Sequence, residues 1–490
     1  MIGLSTTAEV RTAEAPLLAS LPEGALMQRA ATGLATVCLR LLGSVYGRRV
    51  ALLVGTGNNG GDALFAGARL AERGARVTAV VLDGDRAHPA GLAALRRAGG
   101  RIVPADSSGV AALLGRAELV VDGMLGIGGR GGLRPDAAAL AQATADGAGI
   151  TVAVDVPSGI DADTGAVEGA AFSAMHTVTF GAVKPGLVVG EGRGHAGRVH
   201  LVDIGLGPGL PPAGAVQLTD ADVAGLLPVP GTDDDKYSQG VVGIVAGSAT
   251  YPGAGVLCTG AALRTRPGLV RYAGTAAEGV RAAWPEAIVT AGRPADAGRV
   301  QAWVVGPGMG TDDGARDVLA EVLATDLPVL VDADGLSMLA KEPALVRDRA
   351  APTVLTPHDR EFARFGTEVG MDRIGAARRL AADLGAVVLL KGDATVVAEP
   401  TGRAYVNGTG TPWLATAGTG DVLAGIVGSL LASSLSAAGA AAVGAHVHGR
   451  VGQLAAARGP FISGDLVRRL PEGIGTVRGP LAGLLGDSGA

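Results

Sequence analysis

The sequence predicts an α/β protein with two domains, each built on a largely parallel sheet covered by helices. The chain has 490 residues, which is more than one compact core usually holds. In both halves, short apolar runs of strand length alternate with longer helical patterns, as is typical of parallel sheets with helices on their faces. A glycine- and proline-rich stretch without periodicity, 205–217, predicts a linker between domains at 1–210 and 217–490.

Composition excludes several classes of partner. The formal net charge is −5 and charged residues make up 18% of the chain, so there is no basic field for nucleic acid or an anionic membrane. Cys38 and Cys258 lie far apart and make no metal-ligand spacing, which indicates a reducing compartment. The amino terminus lacks a basic segment followed by an apolar one. We therefore expect a cytoplasmic protein that acts on small molecules.

The first half reads as a series of βα units. Residues 5–43 have apolar positions at helical spacing and predict helix. A strand over 50–54, a polar glycine loop over 55–62 and a helix over 63–73 follow. Further strands are predicted at 76–82, 119–122, 151–156 and 178–180, with helical stretches between the first four strands of the series.

Three of these strands end in polar, glycine-rich loops: GNNGGD at 57–62, DGMLGIGGRGG at 122–132 and DVPSGID at 155–161. Open α/β sheets bind ligands at the carboxyl ends of their strands. Asparagine, aspartate and serine oxygens from adjacent loops can ligate a hard cation, while glycine amides can cradle phosphates. The alternative for any single loop is a turn closed by Asx hydrogen bonds.

Together with GAVKPG at 181–186, these motifs resemble the NAD(P)H-hydrate epimerase domain of the YjeF N-terminal type, over residues 1 to about 210. The resemblance implies a Rossmann-like three-layer α/β/α domain that interconverts the R and S forms of hydrated nicotinamide dinucleotides, with potassium bound in the site. Ala63 departs from the family, which commonly has a third glycine there. Lys184 lies in the GAVKPG motif. The alternative to a role in the site is that it is a surface cation near a turn.

The same resemblance implies roles for individual residues. Asp155 would be the acid/base and would also contact the substrate. The potassium ligands would be Asn59, Asp122 and Ser158. The remaining substrate-binding residues would be Asn58, Asn59, Gly60, Gly61, Asp62, Gly126, Ile127, Gly128, Gly129, Arg130, Gly131 and Gly132.

The second half repeats the α/β pattern. Strands are predicted at 241–246, 302–306, 329–332, 353–356, 386–391 and 394–398. The uncharged run 422–445 is long enough to cross a bilayer, but serines and glycines dilute it and no aromatic or basic anchors flank it. Two buried helices packed through small residues are the preferred interpretation, and a membrane span is the alternative.

Asp421 ends the glycine turn TAGTG and precedes this apolar run. Gly418 and Gly420 let the backbone approach a ligand, and a helix that begins here would direct unpaired N–H groups at an anion. A carboxylate beside such an anion hole can act as a base on a hydroxyl that attacks a phosphate. The alternative is that Asp421 only caps the helix.

Three further stretches follow predicted strands: AGSATYPGAG at 246–255, TPHDRE at 356–361 and KGDAT at 391–395. His358 can carry protons or simply hydrogen-bond the backbone of a helix start. Lys391 can meet a phosphate or remain a solvated turn lysine. Asp332 and Asp334 can hold magnesium or position water, although Asp334 can equally cap a helix.

With GPGMG at 306–310 and VDADGL at 331–336, these stretches resemble the ADP/ATP-dependent NAD(P)H-hydrate dehydratase domain, from about residue 217 onward. The resemblance implies a ribokinase-like α/β fold, Mg²⁺ and ADP as co-substrate. The terminal phosphate would pass to the hydroxyl of the S hydrate, and elimination would then restore NAD(P)H. The whole chain thus resembles a bifunctional NAD(P)H-hydrate repair enzyme.

On this resemblance Asp421 would be the base and would contact the hydrate. The rest of the hydrate pocket would be Ala254, Gly308 and His358. Gly418, Thr419 and Gly420 would form the anion hole, and the adenine nucleotide would contact Lys391, Gly392, Asp393, Ala394 and Thr395. Asp235–Ser238 departs from the family pattern, which leaves Lys236 without an expected role.

Two alternatives belong to other classes of function. A ribokinase-type kinase acting on a hydroxymethyl-pyrimidine or thiazole shares the GTGD motif and the fold, but it leaves the amino-terminal half unexplained. A non-catalytic binding module is the second, and Asn59, Asp122, Asp155 and Ser158 argue against it. We also expect a homo-oligomer.

Overall fold

The computed structural model describes residues 1–129, 131–265 and 268–479. The chain divides into two compact units: Gly3–Ala215, the amino-terminal unit, and the chain from Val216 onward together with Met1–Ile2, the carboxy-terminal unit. Each unit is an α/β structure with its own sheet. The predicted fold class is therefore confirmed. Residues 215–217, expected as linker, form a strand of the second sheet.

The amino-terminal unit has a seven-stranded parallel sheet with the order β4-β3-β2-β5-β6-β7-β8. After a short first strand, β1 (Ile2–Leu4), its strands are β2 (Arg49–Val54), β3 (Arg76–Val81), β4 (Arg101–Pro104), β5 (Leu119–Gly123), β6 (Ile150–Val154), β7 (His176–Phe180) and β8 (Arg198–Val202). Its helices are α1 (Thr7–Ser20), α2 (Ala25–Leu42), α3 (Asn58–Glu72), α4 (Pro89–Arg97), α5 (Val110–Gly115), α6 (Pro135–Ala145) and α7 (Gly192–Ala196).

The central strand β2 shows why this unit has three layers. Leu52 and Val54 pack into a core cluster with α2 and α3, whereas Ala51 and Leu53 pack into a second cluster with α5 and α6. Successive side chains of a strand point to opposite faces, so a continuous apolar run supplies both cores. The continuous apolar character that predicted this strand follows from its burial on both faces.

Two predictions for the amino-terminal unit were wrong. The helix predicted over 5–43 is two helices, because the chain turns at residues 21–24, where Gly24 has φ +78°. The loop predicted over 55–62 is shorter, since α3 begins at Asn58. Gly57 precedes the helix, and the rest of GNNGGD lies in its first two turns. The edge strands β4 and β8 were not predicted. They are partly exposed and lack the continuous apolar run of the central strands.

The carboxy-terminal unit has a larger sheet with the order β1-β9-β18-β17-β16-β15-β14-β13-β10-β11-β12. Its strands after β1 are β9 (Ala215–Gln217), β10 (Val241–Val245), β11 (Leu269–Ala273), β12 (Ile288–Thr290), β13 (Ala302–Val305), β14 (Val329–Val331), β15 (Thr353–Leu355), β16 (Val387–Leu390), β17 (Val396–Ala398) and β18 (Ala404–Val406). Its helices are α8 (Asp220–Leu226), α9 (Pro252–Thr265), α10 (Ala277–Ala283), α11 (Asp313–Leu323), α12 (Asp334–Leu339), α13 (Ala344–Arg347), α14 (Asp359–Ala363), α15 (Arg373–Leu384), α16 (Thr419–Ala432), α17 (Ala437–Ala456) and α18 (Ser463–Arg478).

All six strands predicted in this unit are present, and β10 to β16 form its parallel part. β16, β17 and β18 are antiparallel. Five strands of this sheet were missed: β1, β9, β11, β12 and β18. Four of them have only three residues each, and β11 is interrupted by Arg271, so none gives a clear periodic signal.

The apolar run 422–445 forms parts of two helices, α16 and α17, which pack together in the core. The prediction of two buried helices is confirmed. Within 1–129, 131–265 and 268–479, no helix is long and apolar enough to cross a membrane.

Candidate active sites

Three neighbouring strands bring the predicted loops of the amino-terminal unit together. β2, β5 and β6 are adjacent and parallel, so the loops after them leave the same edge of the sheet. Asn59, in the first turn of α3, joins the three loops: its Nδ2 donates hydrogen bonds to the carbonyl oxygens of Leu125 at 2.9 Å and Val154 at 2.6 Å. Gly126 packs so closely on the Asn59 amide that a Cβ there would collide with it. This explains why the loop after β5 requires glycine at that position.

Asp122 and Ser158 form a buried hydrogen-bonded pair in the same place. Ser158 Oγ donates to Asp122 Oδ1 at 2.7 Å, and the Ser158 N–H donates to Asp122 Oδ2 at 2.8 Å. Ser158 Oγ also accepts a hydrogen bond from the Leu125 N–H at 2.8 Å. Burial raises the pKa of Asp122 to about 6, although the hydrogen bonds from Ser158 lower it. The structure thus brings Asn59, Asp122 and Ser158 together around Leu125.

Asp155 lies directly after β6 in an unusual backbone conformation, with φ +65°. One of its carboxylate oxygens, Oδ1, accepts three hydrogen bonds: from Lys184 Nζ at 2.5 Å, Thr179 Oγ1 at 3.0 Å and the Phe180 N–H at 3.1 Å. Within the described ranges, no donor is recorded for Oδ2. The carboxylate is therefore held through one oxygen and leaves the other available for a ligand. Left-handed backbone at a non-glycine residue is a feature found at functional sites.

Lys184 is the functional residue that sequence reasoning left undecided. Its side chain is 1% exposed, so the alternative of a surface cation is wrong. Besides its ion pair with Asp155, its Nζ donates to Thr179 Oγ1 at 3.1 Å and to the Phe180 carbonyl oxygen at 2.9 Å. The GAVKPG motif signalled its importance, but its partner Thr179 stands inside β7 and carried no signal. A buried amine with three oxygen partners fixes the position of Asp155.

The other predicted residues of this site lie around the same loops. Asn58 and Asn59 begin α3, and Gly60, Gly61 and Asp62 follow in its first two turns. A Cβ on Gly60 would collide with the Gly55 carbonyl oxygen, so α3 packs tightly on the end of β2. Residues 126–129 follow β5, where Arg11 on α1 donates to the Ile127 carbonyl oxygen at 3.4 Å. Gly131 and Gly132 continue this loop, while Arg130 lies outside the described residues.

The second site is built at the amino terminus of α16. Gly418 precedes this helix with φ +85°, and Asp421 stands in its first turn. Thr419 Oγ1 donates to the Leu414 carbonyl oxygen at 2.8 Å, which secures the turn. His448 on α17 is buried and makes a hydrogen bond with the Thr419 backbone; burial lowers its pKa to about 4, so it is neutral at pH 7. A helix start of this kind directs unpaired N–H groups outward, which is the arrangement that the anion-hole prediction requires.

A buried ion pair lies beside this turn. Lys391 Nζ donates to Asp332 Oδ1 at 2.8 Å and lies 3.5 Å from Glu361 Oε2. Thr356 Oγ1 donates to Asp332 Oδ1 at 2.8 Å. A Cβ on Gly420 would lie 3.7 Å from Lys391 Nζ, which places the amine at the helix start. The structure thus brings together residues from four separate motifs, and the alternative of a solvated turn lysine is wrong.

Electrostatics separate the ionisable groups of this second site. Burial and, to a smaller extent, the Asp332 carboxylate raise the pKa of Asp421 to about 7, although Lys391 lowers it. Burial alone lowers the pKa of Lys391, but the carboxylates of Asp332 and Glu361 outweigh burial, so its pKa is raised. Lys391 therefore stays cationic, while Asp421 titrates near neutral pH. A carboxyl whose pKa lies close to the working pH suits general-base catalysis.

The predicted hydrate pocket brings two glycine loops together. Gly308 has φ +61°, and a Cβ on it would lie 2.8 Å from the Cβ of Ala254. The Gly247 N–H also donates to the Pro307 carbonyl oxygen at 2.7 Å, which joins the loop after β10 to that after β13. Tyr251, 60% exposed, packs on Gly308. Sequence reasoning passed over Tyr251, although it stands within AGSATYPGAG.

His358 caps α14 through its ring. Its Nδ1 accepts hydrogen bonds from the N–H groups of Arg360 and Glu361 at 3.1 and 3.2 Å. Of the two interpretations left open for His358, the structure has the backbone-bonded helix start. Only Nε2 remains available for a ligand, so a proton carried by His358 would have to move through that atom.

The KGDAT turn after β16 is held from one side by an arginine that sequence reasoning missed. Arg373 Nη2 donates to the Lys391 carbonyl oxygen at 2.8 Å, and Arg373 makes a two-point ion pair with Asp359 at 2.9 Å. Ala394 and Thr395 are buried, while Gly392 and Asp393 are exposed. No sequence motif marks Arg373, because it begins α15, one element upstream of the turn.

Asp334 was predicted either to hold magnesium or to cap a helix. Asp334 Oδ2 accepts a hydrogen bond from the Gly310 N–H at 2.9 Å and begins α12. Across the part of the chain that the structure describes, no group of three or more His, Cys, Asp or Glu side chains is arranged to hold a metal ion. A magnesium ion in this site would therefore need oxygens from a bound nucleotide.

Comparison with known proteins finds a family for each unit. Residues 23–186 match the family described as YjeF-related protein N-terminus, and residues 242–471 match the family described as NAD(P)H-hydrate dehydratase. A ribokinase-like superfamily protein of Enterococcus faecalis is similar in structure, with TM-score 0.50 and 24% identity over 55% of this chain and 99% of that one. That likeness supports the ribokinase-like fold of the carboxy-terminal unit.

Two relatives are similar over most of their length. The bifunctional NAD(P)H-hydrate repair enzyme Nnr of Mycobacterium leprae is 54% identical over 486 residues, which cover 98% of this chain and 99% of that protein. The enzyme of the same description from Mycobacterium tuberculosis is 55% identical over 438 residues, covering 88% and 90%. Both halves of the chain are thus accounted for by one group of proteins. The chain belongs to the family of bifunctional NAD(P)H-hydrate repair enzymes.

Proposed function

We propose that the amino-terminal unit interconverts the R and S epimers of NAD(P)H hydrate, with Asp155 as the proton-transferring group. The support is the asymmetry of its carboxylate, since Oδ1 is held by Lys184, Thr179 and the Phe180 N–H while Oδ2 remains open. The carbon to be inverted bears a hydroxyl next to a ring nitrogen, so its configuration is lost when that hydroxyl leaves or the ring opens. Either route requires proton transfer at an oxygen atom.

The donor set of this unit fits a potassium ion. Asn59, Asp122 and Ser158 would hold it, together with the carbonyl oxygen of Leu125, around which they cluster. Asn59 Nδ2 donates to the carbonyl oxygens of Leu125 and Val154. The same two oxygens would be ligands for a cation bound at this position. A bound potassium ion would supply a positive field that fixes these loops and favours negative charge on a ligand. GNNGGD at 57–62 and residues 126–132 would hold the substrate around the potassium ion.

For the carboxy-terminal unit we propose an ADP-dependent dehydration of the S epimer. Asp421 removes the proton of the hydrate hydroxyl as its oxygen attacks the terminal phosphorus of ADP, and AMP leaves. In the second step the carbon–oxygen bond to phosphate breaks, the adjacent carbon loses a proton and the double bond of the dihydronicotinamide forms. The products are NAD(P)H, AMP and inorganic phosphate. Ala254, Gly308 and His358 would line the hydrate pocket.

The nucleotide would lie against the start of α16 and the KGDAT turn. Gly418, Thr419 and Gly420 would form the anion hole for the phosphate being transferred; the Thr419 N–H donates to the Thr416 carbonyl oxygen at 3.3 Å, so the N–H groups of Gly418 and Gly420 would face the phosphate. Lys391 supplies a fixed positive charge, and Gly392, Asp393, Ala394 and Thr395 would contact the adenine nucleotide. Asp332 and Asp334 would be the carboxylates that meet phosphate-bound Mg²⁺. The magnesium ion would screen the charge of the phosphates.

The observation that carries the dehydratase proposal is the convergence of Asp421, Lys391 and Asp332 at the start of α16. The same convergence suits a kinase, and the products distinguish the two. We propose to incubate the protein with mixed R and S hydrates, with and without ADP, and to follow each epimer and the absorbance of dihydronicotinamide. A repair enzyme consumes both epimers only with ADP and restores the absorbance. A stable phosphorylated product without restored absorbance identifies a kinase and contradicts the proposal.

A scaffold role for the amino-terminal unit is the other alternative. It predicts that R hydrate persists after the S form has been consumed, whereas an epimerase draws the R form through the same reaction. The expected homo-oligomer and the expected cytoplasmic location stay predictions.

A further inference from the structure

We propose that Asp62 is a second catalytic carboxyl group of the epimerase centre, acting as general acid opposite Asp155. This inference rests on the proposed epimerase function and assigns Asp62 a proton rather than a binding contact alone. Asp62 is 6% exposed, and in the described part of the chain its Oδ1 has no hydrogen-bond partner. A buried carboxyl oxygen without a partner is costly in a folded protein, so it indicates a group kept for a ligand.

The position of Asp62 on α3 places it on the side of the helix that meets the site. Asp62 follows Asn59 by three residues, so the two lie on the same face of α3. Asn59 Nδ2 donates to the carbonyl oxygen of Val154, which directly precedes Asp155. The face of α3 that carries Asp62 is therefore turned toward the end of β6.

The charged surroundings of Asp62 favour its neutral form. Burial raises the pKa of Asp62 well above its usual value, and the carboxylates of Asp155 and Glu14 raise it further. Lys184, a buried cation of the site, makes its ion pair with Asp155. His88 begins α4 and packs edge-on against Phe65 of α3, at 5.5 Å between ring centroids. Burial and the Asp155 and Glu14 carboxylates thus favour a proton on Asp62.

The pair of Asp62 and Asp155 matches what epimerisation through loss of the hydroxyl requires. Asp62 gives its proton to the hydroxyl of the hydrated carbon, the carbon–oxygen bond breaks, water leaves and the ring nitrogen lone pair forms an iminium ion. A water molecule then attacks the opposite face of that carbon and gives a proton to Oδ2 of Asp155. The step consumes one water and releases one, and the two carboxyls exchange protonation states; Asp155 then gives its proton to solvent and Asp62 takes one up, which restores the starting state. Two titratable groups held in opposed environments are a recurrent acid/base arrangement.

The test uses the full chain with purified S hydrate and no ADP, so that only epimerisation is observed. The rate without protein is subtracted, and turnover is followed as a function of pH in wild type, Asp62→Asn and Asp62→Glu. Asp85→Asn, an exposed aspartate of the same unit, is the matched control. Wild-type turnover should decline at alkaline pH as Asp62 loses its proton. Enzyme concentrations are chosen to follow a reaction a thousandfold slower than that of wild type.

We expect Asp62→Asn to lower turnover about a hundredfold or more with KM changed less than about threefold, and to lose the alkaline decline. Asp62→Glu should keep that decline and recover part of the turnover. If Asp62 only binds substrate, Asp62→Asn raises KM, keeps turnover and keeps the alkaline decline, which overturns the inference. Circular dichroism and the unfolding transition of the amino-terminal unit are measured in each variant; a retained transition shows that the unit carrying Asp62 is folded, and unchanged dehydration of S hydrate with ADP shows that the second unit is unaffected. A wild type that does not epimerise at all contradicts the proposed function instead.

Discussion

Asp155 and Asp421 perform different tasks because their surroundings differ at the level of single atoms. Asp155 is tied to a buried lysine through one oxygen, which orients the carboxylate and leaves its other oxygen open. Asp421 is largely buried, and burial together with a neighbouring carboxylate brings its pKa to about 7. The first arrangement fixes the position of a proton acceptor, and the second gives a base that can release its proton again near neutral pH.

The pH dependence of dehydration follows from Asp421. A general base must be ionised to accept a proton, so the fraction of active protein rises as pH rises through the pKa of about 7. We expect the turnover of S hydrate with saturating ADP to be low at pH 5.5, near half its plateau around pH 7 and constant above pH 8.5. Stopped assays of AMP release check this profile. A rate that is flat between pH 5.5 and 8.5 would show that another group limits the reaction.

Lys184 should matter for stability as well as for epimerisation. Lys184→Met removes the partner of Asp155 and leaves a buried carboxylate unpaired, which costs about 3–5 kcal/mol in comparable cases. We expect the amino-terminal unit to unfold at lower denaturant concentration and epimerisation to fall. The dehydratase reaction serves as the internal control and should be retained. An unchanged unfolding midpoint would mean that Asp155 finds another partner.

In both units, side chains of the proposed site lie near the start of a helix. α3 begins within GNNGGD and presents Asn59 and Asp62, while α16 begins after TAGTG and presents Asp421. In each case a strand and a helix meet at a glycine-rich turn, and the proposed site residues lie in the first two turns of the helix. This geometry leaves backbone N–H groups free for an anion.

The turn before α16 should tolerate no side chain at Gly418. This residue has φ +85°, and a Cβ there would lie 2.8 Å from Leu257 Cδ1 and 3.0 Å from Ser463 Oγ. We expect Gly418→Ala to weaken ADP binding at least tenfold, as measured by calorimetric titration. Gly385→Ala is the matched control, since Gly385 has φ +62° with no atom near its Cβ position. It should carry the same backbone cost of about 1–2 kcal/mol without a change in ADP affinity. Equal ADP affinities in the two variants would contradict a role for this turn in binding phosphate.

Central elements were predictable from the sequence and peripheral ones were not. The strands β2, β5, β6, β10 and β13 are buried on both faces, so they appear as apolar runs and were found within a residue or two. Edge strands such as β4 and β12 are short and half-exposed, which removes that signal. Motifs located the site loops, but they did not reveal partners that lie inside regular elements, such as Thr179 in β7 and Arg373 in α15.

At the scale of the whole molecule, the chain carries two α/β units with separate chemistry. Each unit has its own sheet and core, so a ligand of one should stabilise that unit alone. We expect ADP at about a hundred times its Kd to add about 2.7 kcal/mol to the unfolding free energy of the carboxy-terminal unit. Scanning calorimetry with and without ADP checks this. A shift of every transition by the same amount would indicate that the units unfold together.

The two-unit organisation was predictable because it follows from length, from the change of motifs and from the aperiodic stretch around 205–217. The division at residues 215 and 216 was not, since β9 belongs to the second sheet although it falls within the stretch expected as linker. A three-residue strand gains its structure from the neighbouring strand rather than from its own sequence. Its pairing therefore becomes visible only in the folded chain.

The central claim is that Asp421 activates the hydroxyl of a hydrated cofactor toward ADP, and Asp421→Asn tests it most directly. AMP, phosphate and dihydronicotinamide absorbance are followed together with S hydrate and ADP, with Asp317→Asn on the exposed face of α11 as control. We expect Asp421→Asn to form all three products about a hundredfold or more slowly than wild type, while its ADP affinity stays within about threefold of wild type. Product formation at the wild-type rate in Asp421→Asn would contradict the account.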